Sequence, residues 1–295
     1  MRLVHLTDLH MTEPLGFSRF WGKRSLGYFS WRRRRRFIHT KEVLDLITES
    51  VLSDDPDLIT ITGDLVQLGL PGEIREAKAW LRNLSKKAKV FVVPGNHDIY
   101  VKSSIKLVRE LWRPYLHLMG NSFPGFVRMG SVIVIGLSSA YPAPVWSAEG
   151  RIDSEQLETL RRIMREFENK FVCILLHHPI TTDGVSVRKQ LKDLEVLQKD
   201  FLNIKTNLIL HGHLHVNKRY SLGSELKVFC TASASSMERV SPASYRLIDF
   251  SEDRLGVDVS SVLKTLNLDS GELHEKENMK WRSDLAVTDS GRVSI

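Results

Sequence analysis

Five short apolar runs in this chain each end in a tight cluster of Asp, Asn and His, and few folds suit a chain built that way. Arg2-Leu3-Val4-His5-Leu6-Thr7 precedes Asp8-Leu9-His10, Leu58 to Thr62 precedes Gly63-Asp64, and Val90 to Pro94 precedes Gly95-Asn96-His97-Asp98. Phe171 to Leu176 precedes His177-His178-Pro179, and Leu208-Ile209-Leu210 precedes His211-Gly212-His213-Leu214-His215. Apolar runs of this length bounded by polar residues read as buried strands. In open α/β sheets ligands sit outside the carboxyl ends of the strands, where loops converge, so the five clusters are expected to meet. Imidazoles two apart at a strand mouth pack poorly, because each buried ring needs polar partners for both nitrogens. They read as ligands.

Helical spacing fills the intervals: His39 to Leu52 (apolar Val43, Leu44, Ile47, Val51), Glu73 to Leu84, Val101 to Leu111, Asp153 to Phe167 behind an Asp cap, and Ser186 to Leu202. Further strands are expected over Ser131 to Leu137, Leu226 to Thr231 and Tyr245 to Phe250. The fold class is therefore α/β: two facing mixed sheets with helices outside, a four-layer αββα sandwich. At 295 residues the chain can bury a sizeable core. Because the site's strands are spread along the chain, one domain is expected over 1–268, with a loosely held polar tail over 269–295 in which Trp281 is isolated.

Cys173 and Cys230 lie in apolar runs, which suits unpaired buried thiols in a reducing compartment. The N-terminus enters a strand directly, leaving no room for a removable signal peptide, and no apolar run nears the ~20 residues of a membrane span. A cytoplasmic protein is expected. The net charge of +7 comes from one place: Arg19, Lys23, Arg24 and Arg32 to Arg36 lie between Phe17 and Phe37 with no acidic residue among them. Interleaved with Phe20, Trp21, Tyr28, Phe29 and Trp31, this insertion suits the inner face of an anionic membrane as a peripheral anchor. A nucleic-acid backbone, with bases stacked on the aromatics, is the less favoured partner. A solvated insertion packed on the main body is the plainest alternative. Since it follows Asp8-Leu9-His10, it is expected to overhang the site and touch substrate.

Asp8, His10, Asp64, Asn96, His177, His213 and His215 exceed the needs of one ordinary metal site and suffice for two. Mn, Fe or Zn accepts such mixed nitrogen and oxygen donors, manganese being favoured, whereas a thiolate site would need cysteines, which are absent from every cluster. A close pair of cations needs a bridging carboxylate, and Asp64 is the lone acid of its cluster. Such a pair lowers the pKa of a bound water to give hydroxide near neutral pH and clamps both oxygens of an in-line displacement at phosphorus. The leaving group then needs a proton; His97 is the candidate catalytic acid, with Asp98 to orient its ring. His211 and His5 read as packed residues, and His39 receives no role.

The ordered set Asp8-x-His10, Gly63-Asp64, Gly95-Asn96-His97-Asp98, His177 and Gly212-His213-x-His215 resembles the calcineurin-like metallophosphoesterases. The resemblance implies Asp8, His10, Asp64 and His215 around one metal, and Asp64, Asn96, His177 and His213 around the other. His97 would act on the leaving group, and His178 would have at most a supporting role. The chain is thus expected to hydrolyse a phosphodiester, pyrophosphate or phosphomonoester, with a phosphorylated small molecule or lipid-linked substrate as its partner. A lipid-linked sugar nucleotide is favoured, in resemblance to the bacterial UDP-diacylglucosamine pyrophosphatases, because the insertion beside the site offers both charge and apolar surface. The loop from Gly136 to Trp146 is expected to form a second wall. A cyclic-nucleotide or nucleotide phosphodiesterase is the alternative. A membrane- or nucleic-acid-binding scaffold is the non-enzyme alternative; an intact motif set argues against it.

Overall fold

The structure is a computed structural model that describes residues 1–12, 24, 33, 35–144, 146–167 and 169–285. Its strands form two six-stranded sheets. In the first, β12 (Leu273–Asp284), β11 (Gly256–Leu266), β10 (Ser244–Glu252), β1 (Arg2–Leu6), β2 (Leu58–Thr62) and β3 (Lys89–Val93) lie in that order. In the second the order is β4 (Gly125–Met129), β5 (Val132–Gly136), β6 (Phe171–Leu175), β7 (Leu208–His211), β9 (Leu226–Cys230) and β8 (Lys218–Leu222). The strands that carry the clusters are parallel neighbours, β1 to β2 to β3 in one sheet and β6 to β7 in the other. Their carboxyl ends therefore leave each sheet on one edge.

The period-two pattern of the second sheet explains the layering. Val134, Cys173, Leu175, Leu208 and Leu210 join the core shared with β1, β2 and β3. The alternate residues Ile133, Ile135, Val172, Ile174 and Ile209 form a second core with α5 (Ser154–Glu166) and α6 (Leu194–Asn203) through Leu160, Ile163, Leu197 and Phe201. Helices α1 (Lys41–Ser53) and α2 (Pro71–Leu84) turn Val43, Ile47, Ile74 and Leu81 into the first core. Three helix starts follow from local chemistry: Thr40 and Asp153 cap α1 and α5, and Glu73 Oε2 accepts the amides of Leu68 and Leu70 at 2.9 and 3.0 Å ahead of α2. Two further helices are α3 (Lys102–Leu111) and α4 (Arg113–Leu116).

Two expectations are corrected. The helix anticipated over Ser186 to Leu202 is broken: a 3₁₀ turn covers Val187–Lys189 and α6 begins at Leu194. Between them Gln190 and Lys192 hydrogen-bond the backbone of Gly150, which withdraws them from a helix. Nor is the polar stretch after 269 loosely held as far as 285. It forms β12, antiparallel to β11, with Trp281 set 5.9 Å from the ring of Phe229. Residues 286–295 and most of the basic insertion lie outside the described residues.

His5 is wholly buried in β1, its Nε2 2.8 Å from Thr62 Oγ1 and its Nδ1 3.0 Å from Thr231 Oγ1. Burial, then the Arg246 guanidinium, push its pKa down to about 3. In the unfolded chain an imidazole titrates near 6.5, so below that pH unfolded molecules bind a proton that folded ones refuse. Stability is expected to fall as pH drops from about 6.5 toward 3, this residue contributing on the order of 1 kcal/mol per pH unit. Urea midpoints at pH 7 and 5 measure the slope, and His5→Gln should flatten it.

Candidate metal centre

Backbone conformation at the strand ends is unusual. Asp8, His10, Asp64, His213 and His215 have φ of 53°, 49°, 52°, 68° and 56°, in the left-handed region that costs a residue bearing a Cβ. These bends fall just beyond the carboxyl ends of β1, β2 and β7. The loops interlock: Asp8 and His10 donate their amides to the carbonyls of Gly63 and Asp64, both at 2.9 Å. Across the sheets, the amide of His213 donates to Asp8 Oδ2 at 2.9 Å, and His177 Nδ1 lies 2.7 Å from the carbonyl of Thr62. Close approach demands glycine at Gly63, which has φ +89° and where a Cβ would stand 2.5 Å from the amide nitrogen of Gly95.

All the candidate ligands meet there, in two groups. Asp8 Oδ1 lies 3.1 Å from His215 Nε2 and 3.8 Å from His10 Nε2, and the two imidazole nitrogens are 3.1 Å apart. On the other side, His177 Nε2 lies 3.3 Å from Asp64 Oδ2 and 3.1 Å from both Asn96 Oδ1 and His213 Nδ1. Asp64 belongs to both neighbourhoods, since its carboxylate also comes within 4.8 Å of ring nitrogens of His10 and His97. Burial resists ionisation of Asp64, yet the facing charge of His177 holds its carboxyl well below the usual range. Reciprocally, His177 overcomes its burial beside Asp64 and is raised to about 9.

The donors fit a pair of divalent cations. Asp8 Oδ1 is wholly buried and faces only imidazole nitrogens, those of His215 at 3.1 Å and His10 at 3.8 Å, an arrangement that gathers lone pairs at one point. Imidazole, carboxylate and amide oxygen together suit first-row divalent ions.

The structure also places the remaining candidates. His97 donates its backbone amide to Asp64 Oδ1 at 2.7 Å, and its ring Nδ1 lies 2.5 Å from the carbonyl of Gln67. Asp98 is corrected: it does not orient the His97 ring. Its two oxygens accept the amides of Val66 and Gly95 at 3.0 and 2.8 Å, and it caps no helix, α3 having no side-chain cap. Burial, then the negative charge of Asp64, push its carboxyl up to about 8. His178 is buried behind His213, ring centroids 4.5 Å apart, with Nδ1 2.8 Å from Ser139 Oγ. The loop beyond Gly136 thus reaches the site through His178. His211 packs away from it, Nε2 3.1 Å from Tyr220 Oη.

One residue at the site escaped the sequence reading. The ring of His39 stands 4.4 Å from that of His10 and 5.3 Å from that of His215. It sits before α1, far from any strand end, and only its spacing ahead of the Thr40 cap marks it.

Residues 1–217 match the family model described as calcineurin-like phosphoesterase. The chain belongs to that family. This phosphoesterase is accordingly a metal-dependent hydrolase of phosphoric esters. It is similar to a probable cyclic nucleotide phosphodiesterase of Coxiella burnetii, with 24% identity over 80% of this chain and 83% of that one. A probable glycerophosphodiester phosphodiesterase of Arcobacter nitrofigilis is 28% identical over 45% of this chain and 46% of its own length. Among solved structures, a dimetal phosphatase from Danio rerio superposes with TM-score 0.63 at 11% identity, over 95% of this chain and 98% of that one. That likeness bears out the sandwich of two sheets flanked by helices.

Proposed function

We propose that this phosphoesterase is a dinuclear phosphodiesterase acting on a small phosphodiester. One observation carries this reading: two donor groups, Asp8/His10/His215 and Asn96/His177/His213, stand on either side of the same carboxylate, Asp64. Two cations held there, manganese, iron or zinc, would supply Lewis acidity and a hydroxide nucleophile near neutral pH. The chain's own residues do the rest. Asp64 lies between the groups, and its hydrogen bond from the His97 amide fixes His97 beside them. The Gln67 carbonyl can only accept, so His97 carries a hydrogen on Nδ1 and turns Nε2 to the leaving oxygen, which it protonates when charged. The names of the relatives, a cyclic nucleotide and a glycerophosphodiester phosphodiesterase, support a diester substrate.

The second reading is hydrolysis of a lipid-linked sugar nucleotide at the inner membrane surface, favoured by the eight basic residues between Phe17 and Phe37. Arg24 of that insertion donates to the carbonyl of Gly69 at 2.7 Å, next to the turn that holds His97. Among the described residues no helix is long and apolar enough to cross a membrane.

Manganese-loaded protein is expected to give a higher kcat/KM for bis(p-nitrophenyl) phosphate and cyclic nucleotides than for p-nitrophenyl phosphate; a monoester preference would overturn the diester assignment. Changing Arg32 to Arg36 together to Gln should leave that activity intact. Loss of binding to phosphatidylglycerol vesicles in this variant would support the membrane reading, and unchanged binding would remove it.

A further inference from the structure

His39 is held in place from both sides of its backbone. Residues 38–40 form an antiparallel bridge with the segment after β9: the amide of Thr40 donates to the carbonyl of Ser235 at 3.2 Å, and that of Met237 to Ile38 at 2.8 Å. The imidazole is then fixed by two hydroxyls, Nδ1 lying 3.0 Å from Ser235 Oγ and 3.2 Å from Ser233 Oγ. Each serine has one hydroxyl hydrogen, and each donates it to a carbonyl of the first cluster. Ser233 Oγ bonds the carbonyl of Asp8 at 2.5 Å, and Ser235 Oγ that of Leu9 at 2.7 Å. Toward His39 both hydroxyls can therefore act only as acceptors, so Nδ1 carries the ring hydrogen and Nε2 bears the lone pair. An imidazole whose other N–H is anchored in this way has the tautomer and orientation of a metal ligand.

The lone pair has a destination. Ring nitrogens of His39, His10 and His215 lie within 4.8 Å of one another. We propose that His39 is a further protein ligand of the cation position formed by Asp8, His10 and His215. This rests on the dinuclear reading above. It gives that position three imidazoles, against two at the position of Asn96, His177 and His213. Imidazole-rich sites favour zinc or iron, whereas oxygen-rich ones suit manganese, so the two positions differ in metal preference and His39 is a source of the difference.

The test is titration of metal-free protein with Co²⁺, followed by calorimetry and by visible absorption, in wild type, His39→Ala and His39→Gln. Wild type is expected to bind two Co²⁺ per chain. Both variants should keep one affinity, lose at least about tenfold at the other, and show altered ligand-field bands, as losing a ligand would cost no less than disturbing its outer support. Competition with Zn²⁺ and Mn²⁺ should show a smaller zinc preference in the variants. If the alanine variant fails to fold, His39→Gln and Ser235→Ala, which keeps the ring but loosens Nδ1, carry the test. Isotherms and spectra identical to wild type in the folded variants would overturn the assignment of His39 while leaving the dinuclear reading intact. A wild type that binds no pair would sink that reading instead.

Discussion

Asp64→Ala is expected to abolish turnover, lowering kcat by about 10³-fold or more, and to bring bound metal below two per chain. Asp64 is the acid shared by the two donor groups: Oδ2 faces His177 Nε2 at 3.3 Å, Oδ1 accepts the amide of His97, and the carboxylate stays ionised beside His177 despite burial. A cation pair contributes several kcal/mol to transition-state stabilisation, and every 1.4 kcal/mol or so is a factor of ten in rate. Removing the shared carboxylate also takes away the acceptor of the His97 amide, which compounds the loss. Asp64→Asn separates charge from hydrogen bonding, since it keeps the shape and the acceptor for the His97 amide while removing the negative charge. Elemental analysis of dialysed protein beside steady-state rates provides the check. Near-wild-type activity in either variant could not be reconciled with a bridging role.

The second large effect concerns His97. His97→Ala should lower kcat by roughly 10² to 10⁴-fold on a diester with an alkoxide leaving group, the usual contribution of a positioned acid. With p-nitrophenolate, which departs without a proton, the loss should be much smaller, and two metals should remain bound. Equal losses with both leaving groups would assign His97 to positioning or to metal binding instead. Asp98 provides the contrast. Its carboxyl closes the turn through the amides of Val66 and Gly95, so its replacement should act on the loop that presents Asn96, lowering stability without this dependence on leaving group.

The strand-end clusters are legible in the sequence because neighbouring residues carry them. An apolar run of five residues is a buried strand wherever it packs, and the Asp, Asn and His that follow it have no comparable use elsewhere. Helices α1, α2, α3 and α5 are legible for the same reason, through 3.6-residue spacing, and α5 also through its Asp153 cap. β12 is not. Most of its charged residues face solvent at the edge of the sheet, and Leu273, Glu277, Met279, Trp281 and Ser283 are half-buried, a pattern too polar to distinguish from a tail. Its existence depends on β11 being there to pair with it.

The amino-acid order alone determined that this chain would bury two sets of strands and carry metal-binding chemistry at their ends, because period, propensity and side-chain type act over a few residues. Tertiary structure alone decided that Asp98 turns from His97 to two backbone amides, and that His39, nearly 200 residues from Ser233 and Ser235, stands against His10. Those outcomes depend on left-handed bends and on bridges between distant segments, whose energies exist only once the sheets have closed.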